Sequence, residues 1–278
     1  ATQDGASFMT MEFLEGEELS KVLHRGQRLE PARLLRVFCQ LALALDHAHS
    51  FGVIHRDLKP DNIFLCASDE GDMVRILDFG SIKLQMESGP KLTAFGTTLG
   101  SPFYMSPEQA MGRSDVDQRT DVFALAAIMY ECVTGKIAFD AVNVAQILMK
   151  IINQPVIPAS QHAAGLPPRL DDVLDRGMRK EKKSRTGTAS ELVASALDAY
   201  GLEQDVTRWA NTSQAAIAQA LAAAQQPAAK AFADSFHPQP SSVSSKPPAP
   251  PVRNSGVVIG VAVGAVAVVV AVTALLLR

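Results

Sequence analysis

The sequence predicts a mainly α fold of the α+β class that is followed by a single transmembrane helix. Residues 31–50 carry apolar side chains three to four residues apart, after a proline at the first helical position. Two short strands, 62–65 and 74–77, flank an acidic turn that contains glycine. Residues 257–277 hold no charge and would span about 31 Å as a helix, which matches a hydrocarbon core of about 30 Å.

The remaining elements follow from shorter patterns. A strand is predicted at 8–13 and an acidic turn at 15–18. Further helices are predicted at 19–25, 120–134, 144–152, 170–179 and 189–200. Between these elements, residues 80–107 show no periodicity and are too long for a passive connection, so we expect a functional loop there.

Composition divides the chain into four parts. Residues 1–200 have the composition of a globular domain, and residues 201–226 predict an Ala/Gln-rich helix with little to bury. Proline and serine dominate residues 227–255, which is typical of a flexible linker. Residues 256–277 form the predicted transmembrane helix.

Charge and cysteine content exclude some classes of function. The formal net charge is −3, which gives no basis for nucleic-acid binding. Cys39, Cys66 and Cys132 are far apart and lack the spacing of metal ligands. Three unpaired thiols favour a reducing, cytosolic setting for the globular part.

Three motifs occur in a fixed order. Residues 55–62 are His-Arg-Asp-Leu-Lys-Pro-Asp-Asn, residues 78–80 are Asp-Phe-Gly, and residues 106–108 are Ser-Pro-Glu. The order and spacing match the set found in protein kinases. Residues 1 to about 200 therefore resemble a bacterial eukaryotic-like (Hanks-type) transmembrane Ser/Thr protein kinase. The resemblance implies a protein-kinase-like C-lobe with a remnant of the N-lobe sheet. Most of the N-lobe would be missing from this sequence.

The resemblance assigns chemistry to four residues. Asp57 would accept the proton of a substrate hydroxyl, and Lys59 would offset charge on the γ-phosphate of ATP. Asn62 and Asp78 would hold Mg²⁺ (or Mn²⁺) through oxygen ligands. A lysine at position 59 favours proteins with Ser or Thr acceptors as substrates.

The same resemblance implies a nucleotide pocket on the first strands. Met11 would be the gatekeeper, residues 12–14 the hinge, Glu18 the ribose contact and Phe64 the floor under adenine. The predicted contacts are therefore Met11, Glu12, Leu14, Glu18 and Phe64.

Regulation is implied through the loop after residue 80. Arg56 would pair with a phosphate on this loop, since a phosphate adds about −1.5 to −2 charge and three acceptor oxygens. Candidate acceptors are Thr93, Thr97 and Thr98, with Thr97 at the usual place. Ser101 would keep the hydroxyl that contacts Asp57 and Lys59.

Five further residues are implied to build the scaffold. His55 and Phe79 would pack in an internal apolar column. Glu108 would form a buried ion pair with Arg185. Asp121 would accept hydrogen bonds from the backbone at residues 55 and 56.

Part of the kinase pattern does not occur in this sequence. No Gly-x-Gly-x-x-Gly precedes residue 57, and the first lysine is Lys21, which follows the predicted hinge. Two hypotheses follow. The chain is either a fragment of an active Ser/Thr kinase or a catalytically inactive, membrane-tethered pseudokinase that acts as a binding module. The four intact catalytic positions favour the first, and we expect these 278 residues alone to turn over ATP weakly or not at all.

The predicted membrane segment suggests a location and a partner. Because ATP is cytoplasmic, we expect a single-pass protein of the inner (plasma) membrane with its kinase part in the cytoplasm. Gly256, Gly260 and Gly264 lie on one helix face, which permits close packing of two helices in a homodimer. The general abundance of glycine and alanine in membrane helices explains the pattern equally well.

Overall fold

A small antiparallel sheet begins the part of the chain that the computed structural model describes, residues 12–26, 28–78 and 102–235. It contains β1 (Gly16–Glu18), β2 (Ile63–Cys66) and β3 (Met73–Ile76) in that spatial order. The predicted strands at 62–65 and 74–77 are thus present, each displaced by one residue. The acidic turn predicted at 15–18 is wrong, because the backbone of β1 pairs with β2 and forms a sheet edge.

Helices form most of the remaining described structure. Their bounds are α1 Leu19–His24, α2 Pro31–Ser50, α3 Pro107–Ala110, α4 Arg119–Thr134, α5 Val144–Asn153, α6 Leu170–Gly177, α7 Ala189–Ala199, α8 Val206–Ala210 and α9 Gln214–Ser235. The six helices predicted up to residue 200 are all present. Their ends differ from the predicted ends by at most two residues, which is the usual uncertainty of helix termini.

The core is centred on α4. Its side chains are buried on every side, including Val122, Phe123, Leu125 and Ile128. A helix that is apolar all round belongs inside a domain, and α2, α6 and α7 pack around this one. The catalytic motif at 55–62 follows α2 directly, so the core determines where that motif lies.

Gly177 lets α6 approach α4 and α7 closely. A Cβ atom at this position would lie 2.6 Å from the Cβ of Ala126 and 2.8 Å from Cδ1 of Leu192. We expect Gly177→Ala to lower the free energy of unfolding by about 1–3 kcal/mol, since the added methyl overpacks the core. Urea unfolding at pH 7 measures the change. A free energy of unfolding equal to that of the wild type would contradict this explanation.

The segment after residue 200 packs against the core. The sequence predicted little to bury between 201 and 226, but Trp209, Ile217 and Leu221 are buried, and α8 and α9 pack on α2. The helix also ends at Ser235 rather than at residue 226.

The predicted membrane segment lies beyond the described residues. Within residues 12–26, 28–78 and 102–235, none of the helices is both long and apolar enough to cross a membrane. The linker predicted at 227–255 is wrong for its first nine residues, which belong to α9, and its residues 236–255 lie outside that part of the chain. The segment at 256–277, with Gly256, Gly260 and Gly264, also lies outside it.

Candidate active site

The backbone of the catalytic loop, residues 55–62, is hydrogen-bonded to a buried carboxylate of α4. Asp121 is fully buried and accepts hydrogen bonds from the backbone nitrogens of His55 and Arg56, both at 2.9 Å. Arg56 has a φ of 65°, a left-handed conformation that costs about 1–2 kcal/mol for a residue with a side chain. The two hydrogen bonds to Asp121 offset that cost and hold the backbone that leads into Asp57.

His55 connects the loop to the end of β3. Its ring is buried, Nε2 donates to the carbonyl of Leu77 at 3.0 Å, and Nδ1 accepts from the backbone nitrogen of Asp57 at 3.3 Å. The neutral tautomer with hydrogen on Nε2 satisfies both contacts. The sequence predicted apolar packing with Phe79, which lies outside the described residues. In the described part His55 acts through hydrogen bonds.

Asp57, Lys59 and Asn62 form one polar cluster. Lys59 Nζ donates to Oδ2 of Asp57 at 2.8 Å, and Asn62 Nδ2 donates to the backbone carbonyl of Asp57, also at 2.8 Å. Within the described residues, Oδ1 of Asp57 accepts no hydrogen bond. The Asp57 side chain is one-third exposed, so this oxygen is available to a hydroxyl from solvent or substrate.

Asp78 lies beside this cluster through its neighbour Leu77. The backbone nitrogen of Leu77 donates to the carbonyl of Asn62 at 2.8 Å. Asp78 itself is exposed and has a φ of 57°. Left-handed residues other than glycine concentrate at functional sites.

The donor set at Asn62 and Asp78 fits Mg²⁺. The amide nitrogen of Asn62 is engaged with Asp57, which leaves its Oδ1 free to act as an oxygen ligand, and Asp78 offers a carboxylate at the end of the neighbouring strand. No group of three or more His, Cys, Asp and Glu side chains suited to a metal occurs among the described residues. Mg²⁺ needs no such group, because it binds through one or two protein oxygens plus phosphates and water.

The Glu108 carboxylate and Arg185 form a bidentate ion pair in the core. The two guanidinium nitrogens lie 2.7 and 2.9 Å from the two carboxylate oxygens, and the Arg185 side chain is fully buried. Burial raises the pKa of Glu108, but the hydrogen bonds and charge of Arg185 outweigh it, and the net pKa is lowered. The pair predicted from sequence is therefore present, and it joins α3 to the segment that contains Arg185.

Comparisons with known proteins identify the family of the chain. The family described as protein kinase domain matches residues 1–197. The chain belongs to the protein kinase family.

Curated kinases from two bacterial genera are similar to the chain. Serine/threonine-protein kinase pkn3 of Myxococcus xanthus is 36% identical over 197 residues, which cover 69% of this chain and 36% of pkn3. PknD of Mycobacterium tuberculosis is 38% identical over 197 residues, covering 70% of this chain and 29% of PknD. The chain thus spans about a third of the length of these relatives.

A solved kinase domain shares the fold. The crystal structure of the Mycobacterium tuberculosis PknI kinase domain aligns with a TM-score of 0.53 and 26% identity. The alignment covers 68% of this chain and 64% of the PknI domain. The helix-rich fold with a small antiparallel sheet is therefore protein-kinase-like.

Two predicted nucleotide contacts of the kinase domain are neighbours in the sheet. Glu18 of β1 pairs with Phe64 of β2. The Glu18 carboxylate accepts hydrogen bonds from Lys21 Nζ at 3.2 Å and Ser20 Oγ at 3.4 Å. Of the predicted hinge residues, Glu12 is exposed and Leu14 is half-buried, whereas Met11 lies outside the described residues.

The predicted regulatory positions of the kinase are described only at Arg56. This residue is half-buried, and its carbonyl accepts a hydrogen bond from Gln109 Nε2 at 2.6 Å. Thr93, Thr97, Thr98 and Ser101 lie outside the described residues.

Gln109 is a positioning residue that the sequence analysis missed. Besides its bond to Arg56, its Oε1 accepts from the backbone nitrogen of Ser106 at 3.0 Å. The glutamine therefore joins the start of α3 to the catalytic loop of the kinase. Ser106-Pro-Glu-Gln109 has the sequence of a capping box, and that pattern could have identified it.

Tyr104 and Glu131 form a second contact that the sequence analysis missed. The Tyr104 hydroxyl donates to the Glu131 carboxylate at 2.5 Å. Burial, followed by the nearby Glu131 charge, raises the pKa of Tyr104, and burial raises the pKa of Glu131. The two residues are 27 positions apart, so no local pattern could have predicted the pair.

His49 adds a titrating group below the kinase catalytic loop. Its side chain is 4% exposed, Nε2 lies 2.7 Å from Oδ2 of Asp121, and Nδ1 lies 3.9 Å from Oδ1 of Asp46. Burial lowers the pKa of His49, but the bond to Asp121 and the two nearby carboxylates raise it to about 9. The imidazole is therefore charged at neutral pH and bridges α2 and α4.

A pH-dependent stability follows from His49. The folded pKa of about 9 exceeds the ordinary value of 6.5, so the folded state binds more protons between these pH values. Stability from His49 is complete below pH 6.5 and is lost as pH rises through 9, by about 3 kcal/mol. Urea unfolding from pH 6 to 9.5 measures the loss, and His49→Gln is expected to remove that slope. An unchanged slope in the variant would contradict the assignment.

Proposed function

We propose that the protein containing this chain is a Ser/Thr protein kinase that transfers the γ-phosphoryl group of ATP to hydroxyl groups of proteins. The observation that carries the proposal is the cluster of Asp57, Lys59 and Asn62, with Asp78 held next to it by Leu77. A general base, a cation and two oxygen ligands are the parts that phosphoryl transfer requires.

Each side chain has a definable task in this reaction. As the substrate hydroxyl oxygen bonds to the γ-phosphorus, its proton passes to the Asp57 carboxylate and the bond to the ADP oxygen breaks. Lys59, which is bonded to Asp57 at 2.8 Å, is placed to offset charge on the transferred group. Bound Mg²⁺ supplies neutralisation of phosphate charge, and Asn62 and Asp78 are the residues that would hold it.

Sequence features support a membrane location as part of the proposal. We propose that residues 256–277 anchor the protein in the inner membrane, with the kinase part in the cytoplasm where ATP is available. The proposal rests on 21 uncharged residues at 257–277. Recovery of the complete protein from carbonate-washed membranes tests it, and release into the soluble fraction would contradict it.

The first experiment on the proposed activity examines the reading frame upstream of Ala1. A Gly-rich loop and a strand lysine in frame would support the enzyme, whereas a start codon at that place would favour the inactive binding module. The protein from the complete reading frame is then incubated with Mg²⁺, radiolabelled ATP and a general protein substrate. Label on phosphoserine or phosphothreonine is expected, and label on tyrosine alone or no label would contradict the proposal.

A further inference from the structure

Arg36 is a buried charge on α2 whose partners lie in two distant parts of the chain. The residue is 5% exposed. Its Nε donates to the carbonyl of Asp72 at 3.2 Å, and its Nη1 donates to the carbonyl of Thr212. Burying a guanidinium is costly unless its donors are satisfied. Arg36 therefore ties the β2–β3 turn to the segment that leads into α9.

Two neighbours of Arg36 on α2 hold the same turn. Gln40 Nε2 donates to the carbonyl of Asp72 at 2.9 Å, and Gln40 Oε1 accepts from the backbone nitrogen of Val74 at 3.0 Å. Arg33 Nε donates to the Asp72 carboxylate at 2.5 Å. The turn is thus fastened to α2 through both its backbone and a side chain.

The C-terminal segment closes over the turn from the other side. The backbone nitrogen of Gln214, the first residue of α9, donates to the carbonyl of Glu70 at 2.8 Å. Gly71 has a φ of 107°, and a Cβ atom there would lie 2.9 Å from the Cβ of Gln214. Glycine is therefore required both for the backbone conformation and for the close approach of α9.

The opposite end of the same hairpin carries the catalytic oxygens. Ile63 pairs with Ile76, and Leu77 donates to the carbonyl of Asn62, so Asn62 and Asp78 leave β2 and β3 side by side. Each strand is only four residues long. Only four residues of paired backbone therefore separate the turn from the oxygen ligands.

We propose that residues 206–224, named here the C-terminal clamp, position the β2–β3 hairpin for catalysis, with Arg36 as the positioning residue. The kinase-domain match ends at residue 197, so the clamp lies beyond the matched residues. The clamp does not touch the reacting groups. It acts by keeping the hairpin closed, which holds Asn62 and Asp78 at one separation. The catalytic consequence rests on the proposed kinase function.

A single backbone donor provides the sharpest test. In Gln214→Pro the nitrogen that bonds Glu70 loses its hydrogen, while proline remains favourable at the first position of a helix. In the control Gln214→Ala the hydrogen is kept. Hydrogen exchange of residues 63–77 in the full chain is expected to accelerate about fivefold in the proline variant, the factor for one lost hydrogen bond, and to stay unchanged in the control. Equal exchange in the two variants would overturn the proposal.

Arg36→Met tests the positioning residue itself, with the exposed Arg169→Met as the control. Exchange in the hairpin is expected to accelerate about tenfold in Arg36→Met, because the Thr212 carbonyl loses its donor and the Asp72 carbonyl keeps only the donor of Gln40. Exchange of residues 119–134 in α4 should remain slow. Acceleration spread equally over α4 and the hairpin would mean general destabilisation and would overturn the proposal.

A second readout links the clamp to catalysis. In the protein from the complete reading frame, Gln214→Pro is expected to raise the Mg²⁺ concentration for half-maximal phosphotransfer about threefold, with little change in Gln214→Ala. An unchanged Mg²⁺ requirement together with faster hairpin exchange would overturn the catalytic part of the proposal. Absence of phosphotransfer in the wild-type protein would overturn the proposed function, and hairpin exchange would still decide whether the clamp exists.

Discussion

Asp57→Asn is expected to lower kcat for phosphotransfer by a factor of about 10²–10⁴, the range for loss of a positioned general base. An amide cannot take the proton of the substrate hydroxyl at neutral pH. The substitution also removes the negative partner of Lys59, now 2.8 Å away. The KM for ATP should change little, because the described contacts of Asp57 are with the catalytic loop and not with the nucleotide strands.

Steady-state phosphorylation of a general protein substrate by the protein from the complete reading frame measures this effect. Asp61→Asn is a matched control, since Asp61 lies in the same loop and is exposed. The control should retain activity within about twofold of wild type, as expected for an exposed residue outside the catalytic cluster. If Asp57→Asn retained a tenth or more of the wild-type kcat, Asp57 would not be the base.

The second large effect is expected from breaking the buried ion pair. Arg185→Met leaves the Glu108 carboxylate buried without its bidentate partner, and it also removes donors to the carbonyls of Arg119 and Arg179. Removing one partner of a buried pair costs about 3–5 kcal/mol. We expect a loss of that size in the free energy of unfolding from urea titration at pH 7.

A double variant distinguishes the loss of the attraction between the two residues from the cost of burying the unpaired Glu108 carboxylate. Replacing both residues, as Glu108→Leu with Arg185→Met, removes the unpaired carboxylate and should recover part of the loss, because apolar replacements of buried pairs are often nearly neutral. The exposed pair of Arg113 and Asp115 is the comparison, and Arg113→Met should leave the free energy of unfolding close to that of the wild type, because solvent screens the pair. Equal losses in Arg185→Met and Arg113→Met would contradict the role assigned to the buried pair.

Local patterns were sufficient wherever the physical cause is local. Proline at the start of α2 and apolar residues three to four apart predicted that helix with its observed bounds. The strands at β2 and β3 were displaced by only one residue. The edge strand β1 was missed, because its three residues contain two glutamates and become a strand only through pairing with β2.

Some residues of the candidate site could be predicted from the sequence, and others could not. The spacing of Asp57, Lys59 and Asn62 predicted one polar cluster, and the structure brings these three residues together. Their catalytic roles, and that of Asp78, stay a prediction. The support of the site was predicted only in part. Asp121 and the pair of Glu108 with Arg185 were expected from the family resemblance, whereas Gln109, Tyr104 and His49 were not.

The sequence by itself therefore determined the order of the kinase motifs and the helices around them, because motif spacing and side-chain periodicity are properties of adjacent residues. Only the tertiary structure decided what holds the site in place. Arg36 is an ordinary charged residue in the sequence, and residues 201–226 looked too poor in apolar groups to pack. Their roles depend on carbonyls about 36 and 176 positions from Arg36, at Asp72 and Thr212. Contacts across such distances leave no periodic trace, so folding alone shows that Arg36 joins the hairpin to the C-terminal segment.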